Sequence, residues 1–284
     1  MSNGNDPRLA ISFVEQSARK RVEHILDAGS MREMVTPFDR VTSHWLEMQG
    51  IVPQFDDGVV TTRGSIDGKS VVAIAVDGSF QGGSLGEVAG AKIAGTLELA
   101  VEANQAGESI AAVLILETGG VRLQEANLGL AAIAEIQSAI VALRQFQPVV
   151  ALITGPVGCF GGMSITAGLC SYLLMTREGR LGLNGPQVIE QEAGVSEYDS
   201  QDRPFIWGLT GGEQRDATGL IDDFIDSDVI KVRQKVQEYL SKGVPKAFRS
   251  EAIQSSLDRL KKVDTRSQIT AEMARAILSK EASL

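Results

Sequence analysis

The fold is decided by the stretch ALITGPVGCFGGMSITAGL, residues 151–169. Its first part is apolar and typical of a buried strand, its middle is rich in glycine, and its last part follows a helical pattern. Glycine costs backbone entropy, so a glycine cluster marks a place where the chain turns unusually, packs closely or meets a ligand. The same succession occurs in AAVLILETGGVRLQEAN, residues 111–127. This repetition predicts an α/β protein in which buried strands lead through glycine into helices.

The sequence on either side of these two stretches continues the alternation. A β-hairpin is expected ahead of them, with strands near 59–63 and 70–76 joined by a turn at Asp67-Gly68. The other predicted elements are an N-terminal helix and turn within 17–34, helices within 86–104, 127–146 and 162–170, buried strands at 110–117 and 148–154, and a strand pair within 171–184. Charged helical segments near 228–241 and 250–281 are expected at the periphery, where a subunit contact is possible.

Length and composition fit one soluble domain. The chain has 284 residues, of which 43% are hydrophobic and 22% charged, which are ordinary values for a globular protein. We expect a single domain over residues 1–284, with an N-terminal helical segment at about 17–50 and peripheral C-terminal helices at about 228–284. The N-terminus lacks the basic start and apolar block of a secretory signal, so the expected location is the cytoplasm.

Charge and residue usage argue against several classes of function. The formal net charge of −9 does not suit a general nucleic-acid-binding protein, which needs a basic surface. The chain has two cysteines, Cys159 and Cys170, and two histidines, so no metal site is expected. Both thiols are expected to be reduced. We interpret Cys159 as a small buried residue and not a nucleophile, because no histidine lies near it in the sequence.

The two strand-to-helix junctions suggest a site for an anion. The first N–H groups of a helix lack intrahelical acceptors and lie at the positive end of its dipole, and glycine lets a ligand come close. Two junctions that face one cavity can hold the carbonyl of a thioester and a neighbouring carboxylate, and can stabilise the enolate that joins them. The alternative, that Gly119-Gly120 and Gly161-Gly162 only permit close helix–sheet packing, stays open. Neither junction matches a P-loop or dinucleotide fingerprint, which argues against nucleotide hydrolysis and hydride transfer.

A third glycine-rich junction, FQGGSLGEVAGAKIAG, occupies residues 80–95. Gly82, Gly83 and Ser84 either meet the pantetheine or phosphate groups of a cofactor or simply turn the chain, and the sequence favours neither. Arg122, after the first glycine pair, is a further ligand candidate. Glu125 is expected to serve in helix capping and charge pairing.

Four motifs in a fixed order carry a resemblance to a known family. They are FQGGSLGEVAGAKI, TGGVRLQEA, GPVGCFGGMS and LGLNGPQVIEQ, and the match extends over most of residues 17–225. Together they resemble the carboxyltransferase β-subunit family of biotin-dependent carboxylases, in the crotonase superfamily. Within it, HWLEMQGIVPQFDDGVVTTRGSIDG and ETGGVRLQEANLGL are most similar to the β subunits of malonate decarboxylases. Val121 replaces the alanine usual in this family, which narrows the pocket and keeps the N–H, and two cysteines cannot form the zinc ribbon of bacterial acetyl-CoA carboxylase β subunits.

The resemblance implies a fold, a reaction and partners. The implied fold is a crotonase-like ββα superhelix of the acyl-CoA carboxyltransferase N-domain type. The implied reaction is decarboxylation of a malonyl thioester to an acetyl thioester, carried on the CoA-derived prosthetic group of an acyl carrier protein, without biotin or a tightly bound cofactor. The implied partners are a homologous γ subunit that completes the active site, the acyl carrier protein and the α subunit of malonate decarboxylase. Neither nucleic acid nor a membrane is an expected partner.

The resemblance also implies residue roles. The backbone around two glycine pairs is expected to form the oxyanion holes, at Gly119, Gly120, Val121, Gly161 and Gly162. The expected contacts to the cofactor arm are Gly82, Gly83, Ser84 and Arg122. The sequence leaves the proton donor for the enolate carbon open between Glu190, Tyr198, Ser164, a residue of the partner subunit and water.

Two other functions stay open on sequence alone. A carboxyltransferase β subunit of a biotin-dependent acyl-CoA carboxylase or decarboxylase passes through the same enolate and uses the same donors. A non-catalytic scaffold subunit keeps the fold without the chemistry, because function lies in sites and not in folds.

Overall fold

The computed structural model describes residues 11–52, 54–55, 57–125, 127–264, 266 and 270–278. The strands are β1 (Arg32–Glu33), β2 (Val59–Ile66), β3 (Lys69–Val76), β4 (Ser84–Leu85), β5 (Ala111–Leu116), β6 (Gly120–Val121), β7 (Val149–Ile153), β8 (Tyr172–Thr176) and β9 (Asp223–Ile225). The helices are α1 (Ala18–Ile25), α2 (His44–Met48), α3 (Glu87–Gln105), α4 (Asn127–Leu143), α5 (Gly162–Leu169), α6 (Pro186–Ala193), α7 (Arg203–Thr210), α8 (Gly212–Ala217), α9 (Val229–Ser241), α10 (Ile253–Leu260) and α11 (Ala271–Leu278).

A seven-stranded mixed sheet forms the central layer, in the order β1-β2-β3-β5-β7-β8-β9. The first three strands are antiparallel, and the strands from β3 to β9 run parallel. Parallel strands covered on both faces need continuous apolar sequence, and every residue of β5 and β7 is buried. The two apolar runs that lead into glycine pairs are therefore adjacent central strands, with Leu114 beside Ala151.

Helices cover both faces of this sheet. Successive side chains of a strand point to opposite faces, so on β5 Leu114 packs into a core with α3, α4 and α5, and Val113 and Ile115 pack into a second core with α1 and α9. Ile93 and Val232 are fully buried helix residues of the first and the second core, respectively. No helix in the described part of the chain is long and apolar enough to cross a membrane.

A smaller layer of extended chain lies beyond the ends of the parallel strands. β4 pairs in parallel with β6, and isolated parallel bridges join Thr118 to Cys159 and Cys159 to Leu181. The succession of strand, short extended segment and helix thus recurs as β3–β4–α3, as β5–β6–α4, and as β7–Cys159–α5. This recurrence is the ββα superhelix that the resemblance implies.

Most predicted elements are confirmed, and two are wrong in part. The hairpin of β2 and β3 turns at Asp67 and Gly68, which have φ of 50° and 73°. Within 171–184 only Tyr172–Thr176 is a strand, because the chain then turns, with Gly179 N–H donating to the Thr176 carbonyl at 3.2 Å, and Leu181 beyond the turn forms only an isolated bridge. The predicted helix over 250–281 is divided into α10 and α11. The ends of the predicted domain, at 1–10 and 279–284, lie outside the described residues.

Asp27 fastens α1 to the hairpin and to α9. Its Oδ2 accepts hydrogen bonds from Ser65 Oγ at 2.7 Å and from Gly68 N–H at 3.0 Å. Arg233 Nη2 donates to its Oδ1 at 2.7 Å. The hydrogen bond from Ser65, followed by those from the backbone of the turn and from Arg233, lowers the pKa of Asp27 to about 2.

Replacing Asp27 by Asn is expected to remove a stabilisation that depends on pH. Because the folded-state pKa lies below the ordinary value of 3.8, the carboxylate stabilises the fold above about pH 4, and this stabilisation is lost as the pH falls toward about 2. Urea unfolding should therefore show a difference in free energy of unfolding between wild type and Asp27→Asn that shrinks between these two pH values. A difference that stays constant over that range contradicts the assignment.

Candidate active site

The glycine junctions after β5 and β7 lie directly against each other. Thr118 N–H donates to the Gly158 carbonyl at 2.7 Å, and Phe160 N–H donates to the Thr118 carbonyl at 3.1 Å. A side chain at Gly120 would lie 3.1 Å from the Phe160 carbonyl oxygen and 3.4 Å from Gly161 Cα. Close approach of the two backbones therefore requires glycine here, and the structure brings together the two junctions that the sequence singles out.

Some of the predicted oxyanion donors already have acceptors within the chain. These N–H groups donate as follows: Gly119 to the Gly82 carbonyl at 2.9 Å, Gly120 to Thr118 Oγ1 at 3.1 Å, and Gly161 to the Leu183 carbonyl at 2.8 Å. The hydrogen bonds fix the path of both junctions. These three N–H groups therefore shape the backbone of the site. Their catalytic role stays a prediction.

The N–H groups of Val121 and Gly162 are placed differently. In a parallel ladder only alternate residues bond to one partner strand, and Arg122 N–H donates to the Leu85 carbonyl at 2.8 Å. The N–H of Val121 therefore points away from β4. Gly162 is the first residue of α5 after its N-cap Gly161, where an N–H has no intrahelical acceptor. The oxyanion hypothesis rests mainly on these two groups.

Side chains from the flanking helices hold the second junction. Gln137 Nε2, on α4, donates to the Gly162 carbonyl and to Thr166 Oγ1, both at 3.2 Å. Ser164 Oγ donates to the Gly161 carbonyl at 2.8 Å. Sequence analysis missed Gln137, because it lies one helix away from the glycine pair that it supports.

The third glycine junction turns the chain underneath the first. Gly82 and Gly83 have φ of 66° and 65°. A side chain at Gly83 would lie 2.1 Å from the Glu117 carbonyl oxygen, whereas a side chain at Gly82 meets nothing within 4 Å. Close packing thus explains Gly83. The predicted contacts of Gly82, Gly83 and Ser84 to a cofactor arm stay a prediction.

Alanine substitutions at Gly82 and Gly83 should distinguish the cost of a positive φ from the cost of a steric clash with the backbone. Gly82→Ala is expected to cost about 1–2 kcal/mol, since it only places a side chain in the left-handed region. Gly83→Ala adds a backbone collision to the same φ strain and should cost clearly more. Urea unfolding of both variants measures the difference, and equal losses of stability would show that the close approach of Gly83 to Glu117 is not a constraint.

A cavity of about 480 Å³ adjoins the first junction. Its uncharged polar wall residues are Ser43, Gln54, Gln81, Ser84 and Gln124, and its apolar wall residues include Leu46, Ile51, Val52, Phe80, Val88, Val121 and Leu123. Val52 is 81% exposed and Leu123 is 84% exposed, which places them at the opening. The cavity therefore connects the protein surface with Val121.

Three of the four charged residues in a buried ionic network, Asp57, Arg122 and Glu125, line this cavity. Arg122 Nη1 pairs with Glu125 Oε1 at 3.0 Å, and Lys92 Nζ pairs with Asp57 Oδ1 at 3.3 Å. Glu125 Oε2 accepts a hydrogen bond from Glu87 N–H at 2.6 Å, which confirms capping and charge pairing for Glu125. Burial raises the pKa of the Asp57 carboxyl. Sequence analysis missed Asp57 and Lys92, which are 35 residues apart and carry no local signal of pairing.

Both cysteine side chains are fully buried in the first core. Burial raises the pKa of Cys159 above its ordinary range and raises that of Cys170 to about 12. A thiol in such surroundings is not ionised near neutral pH and is a poor nucleophile. The interpretation of Cys159 as a small buried residue is confirmed.

Neither thiol is expected to react with a water-soluble alkylating reagent while the protein is folded, because the reactive thiolate is absent and the reagent has no access. Mass spectrometry should show no adduct in native buffer and an adduct on each cysteine after unfolding in urea. Rapid native labelling of Cys159 would overturn its burial.

The three proton-donor candidates lie on different segments. Ser164 is on α5, two residues after Gly162, and is bonded to Gly161. Glu190 Oε2, on α6, accepts a hydrogen bond from Ser200 N–H at 2.7 Å. The Tyr198 ring packs edge-on against Phe205 with 5.2 Å between ring centroids, and burial raises its pKa. The structure thus places only Ser164 within a glycine junction.

Comparison with known proteins gives the family of this chain. The family described as the carboxyl transferase domain matches residues 15–273, so the chain belongs to the carboxyl transferase family. Malonyl-S-ACP:biotin-protein carboxyltransferase MADC from Malonomonas rubra is 42% identical over 214 residues, which are 72% of this chain and 67% of that protein. The methylmalonyl-CoA carboxyltransferase 12S subunit of Propionibacterium freudenreichii subsp. shermanii is 33% identical over 180 residues, which are 33% of that protein's length.

Solved structures confirm the more specific resemblance. A chain in the crystal structure of a Pseudomonas malonate decarboxylase hetero-tetramer in complex with malonate is 62% identical, with a TM-score of 0.92 over 95% of this chain and 98% of that chain. A transcarboxylase 12S structure is 30% identical, with a TM-score of 0.68 over 81% of this chain and 42% of that chain. The similarity to malonate decarboxylase subunits and the crotonase-like fold are thereby confirmed.

Proposed function

We propose that this chain is the β subunit of a biotin-independent malonate decarboxylase, a carbon–carbon lyase. With a homologous γ subunit it would convert malonyl-S-acyl-carrier protein to acetyl-S-acyl-carrier protein and CO2. The observation that carries this proposal is the convergence of two glycine junctions. Gly120 and Gly161 approach each other closely, Val121 and Gly162 follow them directly in the chain, and Val121 lines a cavity that opens to the surface.

The chemistry needs oxyanion donors more than it needs a nucleophile. When the bond to the departing carboxylate breaks, its electron pair moves toward the thioester carbonyl and leaves CO2 and an enolate. Preorganised N–H groups stabilise the charge that develops on the thioester oxygen. A proton then goes to the terminal carbon and gives the acetyl thioester. The fully buried Cys159 and Cys170 have no part in this sequence of steps.

The cavity supports a substrate carried on a long arm. A pantetheine arm alternates apolar carbons with amides, and the cavity wall offers apolar side chains together with the amides of Gln54, Gln81 and Gln124 and the hydroxyl of Ser84. The relative from Malonomonas rubra is named for a malonyl-S-ACP substrate. The proposed carrier is therefore the CoA-derived prosthetic group of an acyl carrier protein, with no tightly bound cofactor in this chain.

Exposed apolar residues support a partner subunit over the junctions. Leu123 follows the first junction, Leu130 lies on α4 and Ile165 lies on α5, and all three are more than half exposed. Leu183 is 62% exposed, and its carbonyl accepts from Gly161 N–H. Large exposed apolar residues grouped around one site are typical of an interface. A chain in the crystal structure of the Pseudomonas malonate decarboxylase MdcD-MdcE hetero-dimer is 55% identical, with a TM-score of 0.77 over 91% of this chain and all of that chain. We propose a homologous γ subunit here, with the acyl carrier protein and the α subunit as further partners.

The proposed reaction is tested by co-expressing this chain with a homologous γ-type subunit and supplying a malonyl thioester without biotin. Mass spectrometry should show the acetyl thioester, on the carrier protein or on CoA, and release of CO2. The second candidate function is carboxyl transfer to a biotin protein, which the name of the Malonomonas rubra relative favours. If no reaction occurs until a biotin carboxyl acceptor is added, and this acceptor then becomes carboxylated, the result contradicts the decarboxylase proposal and establishes carboxyl transfer.

Proline at position 162 tests the backbone donor directly. Gly162 is the first residue of α5, a position where helices accept proline, so Gly162→Pro removes the N–H and keeps the helix. Gly162→Ala is the matched control, because it brings the same Cβ, 3.0 Å from Ile133 Cγ2, and retains the N–H. Gly162→Pro should lower kcat by about 10²–10³ relative to Gly162→Ala. Equal activity of the two variants, at equal thermal stability, would favour the scaffold hypothesis.

A further inference from the structure

We propose that Arg122 and Glu125 are positioning residues that fix the direction of the Val121 N–H. The inference rests on the proposed function, in which this N–H is an oxyanion donor. It assigns Arg122 a different role from the contact to the cofactor arm that its place in the sequence suggests.

The guanidinium of Arg122 is almost completely engaged within the chain. Its Nε donates to Ser84 Oγ at 3.3 Å, and its Nη1 donates to Glu125 Oε1 at 3.0 Å. Its Nη2 donates to the Ser84 carbonyl at 2.8 Å and to the Asp57 carbonyl at 3.3 Å. A guanidinium has five N–H groups, so four of them have acceptors in the chain. Arg122 is 5% exposed. Although Arg122 lines the cavity, it therefore has at most one N–H group left to bind an arm that enters from solvent.

Glu125 extends the same connection to the start of α3. Its two carboxylate oxygens accept from Arg122 and from Glu87 N–H, and the residue is 2% exposed. The N-cap of α3 is Gly86, which has no side chain to cap the helix. A side chain at Gly86 would lie 2.0 Å from Glu125 Oε1. The carboxylate thus occupies the place of an N-cap side chain, at the helix end where a negative charge is stabilised.

These contacts stabilise the pairing of β4 with β6, which is too short to be stable alone. β4 and β6 are paired only through Ser84 with Gly120 and Leu85 with Val121, and short two-stranded pairs are marginal without support. Arg122 clamps this pair on its C-terminal side, since its N–H bonds to Leu85 and its guanidinium bonds to Ser84. Loss of the clamp would let the Val121 peptide rotate, and a displacement of about 1 Å can reduce a rate about 10²-fold.

The test compares the variants Arg122→Lys and Glu125→Gln with two control variants, Arg233→Lys and Asp27→Asn. The controls also break an arginine–carboxylate contact, the one of 2.7 Å between α9 and the segment after α1. Lysine cannot reproduce the planar fork of arginine, so Arg122→Lys should lower kcat by about 10–100-fold and leave KM within about twofold. Hydrogen–deuterium exchange should become faster in the peptide over 118–125. Glu125→Gln keeps an acceptor oxygen and should fall between wild type and Arg122→Lys. The control variants should lose stability without a change in kcat or in exchange at 118–125.

The outcomes separate this inference from the proposed function. A raised KM with unchanged kcat in Arg122→Lys would make Arg122 a ligand contact and overturn the positioning role. Unchanged exchange at 118–125 in both variants would overturn it as well, and this readout needs no substrate. If the wild-type complex decarboxylates nothing while exchange responds as expected, the proposed function fails and the structural role of the pair stands.

Discussion

The arrangement of the whole site depends on one close backbone approach, that of Gly120 to Phe160 and Gly161. Only glycine fits at position 120, because it has a φ of 103° and a side chain would meet a carbonyl oxygen at 3.1 Å. This approach is possible because β5 and β7 are adjacent parallel strands and end at the same edge of the sheet. Each strand end then delivers a glycine pair to the same place. Had a helix or another strand separated β5 from β7, the two junctions would belong to different parts of the molecule.

The layer that carries the proposed donors has only short strands, and buried charges adjoin the hydrophobic core beside its first junction. The side chains of two cations and two anions, Arg122, Lys92, Glu125 and Asp57, are nearly inaccessible to solvent, and all of them except Lys92 line the cavity. Buried ion pairs contribute little net stability, because desolvation offsets most of the attraction. Their fixed geometry restricts the conformations of the backbone segments that they join. An exact backbone direction is what an oxyanion donor needs, and a looser apolar core would not specify it as well.

Local features of the sequence predicted the strands, the hairpin and the glycine junctions. The contacts that shape the site join residues far apart in the sequence. The apolar runs of β5 and β7, the hairpin and the glycine junctions were predictable, because each signal lies within one short segment. Which of the N–H groups have a hydrogen-bond acceptor within the chain was not predictable. It depends on the register of β4 with β6 and on the Leu183 carbonyl, which reaches Gly161 from beyond β8. Arg122 is a ligand candidate by its place after the glycine pair, and that role stays a prediction. The acceptors of its guanidinium were not predictable, because Ser84 and Asp57 lie 38 and 65 residues away.

Under the proposed function, a site built from backbone donors restricts how one family changes its chemistry. Among the substitutions only proline removes an N–H, and both decarboxylation and carboxyl transfer pass through the same enolate, so the donors themselves do not choose between them. The choice falls to the groups that decide what reaches the enolate carbon: a proton, or the carboxyl group of a biotin protein. Under the proposed function, those groups are the side chains around the junctions, such as Val121 in the cavity wall and Ser164 on α5, together with the partner surface that would cover Leu123 and Ile165. Under the proposed function, the identity of the partner subunit therefore decides the reaction as much as the residues of this chain do.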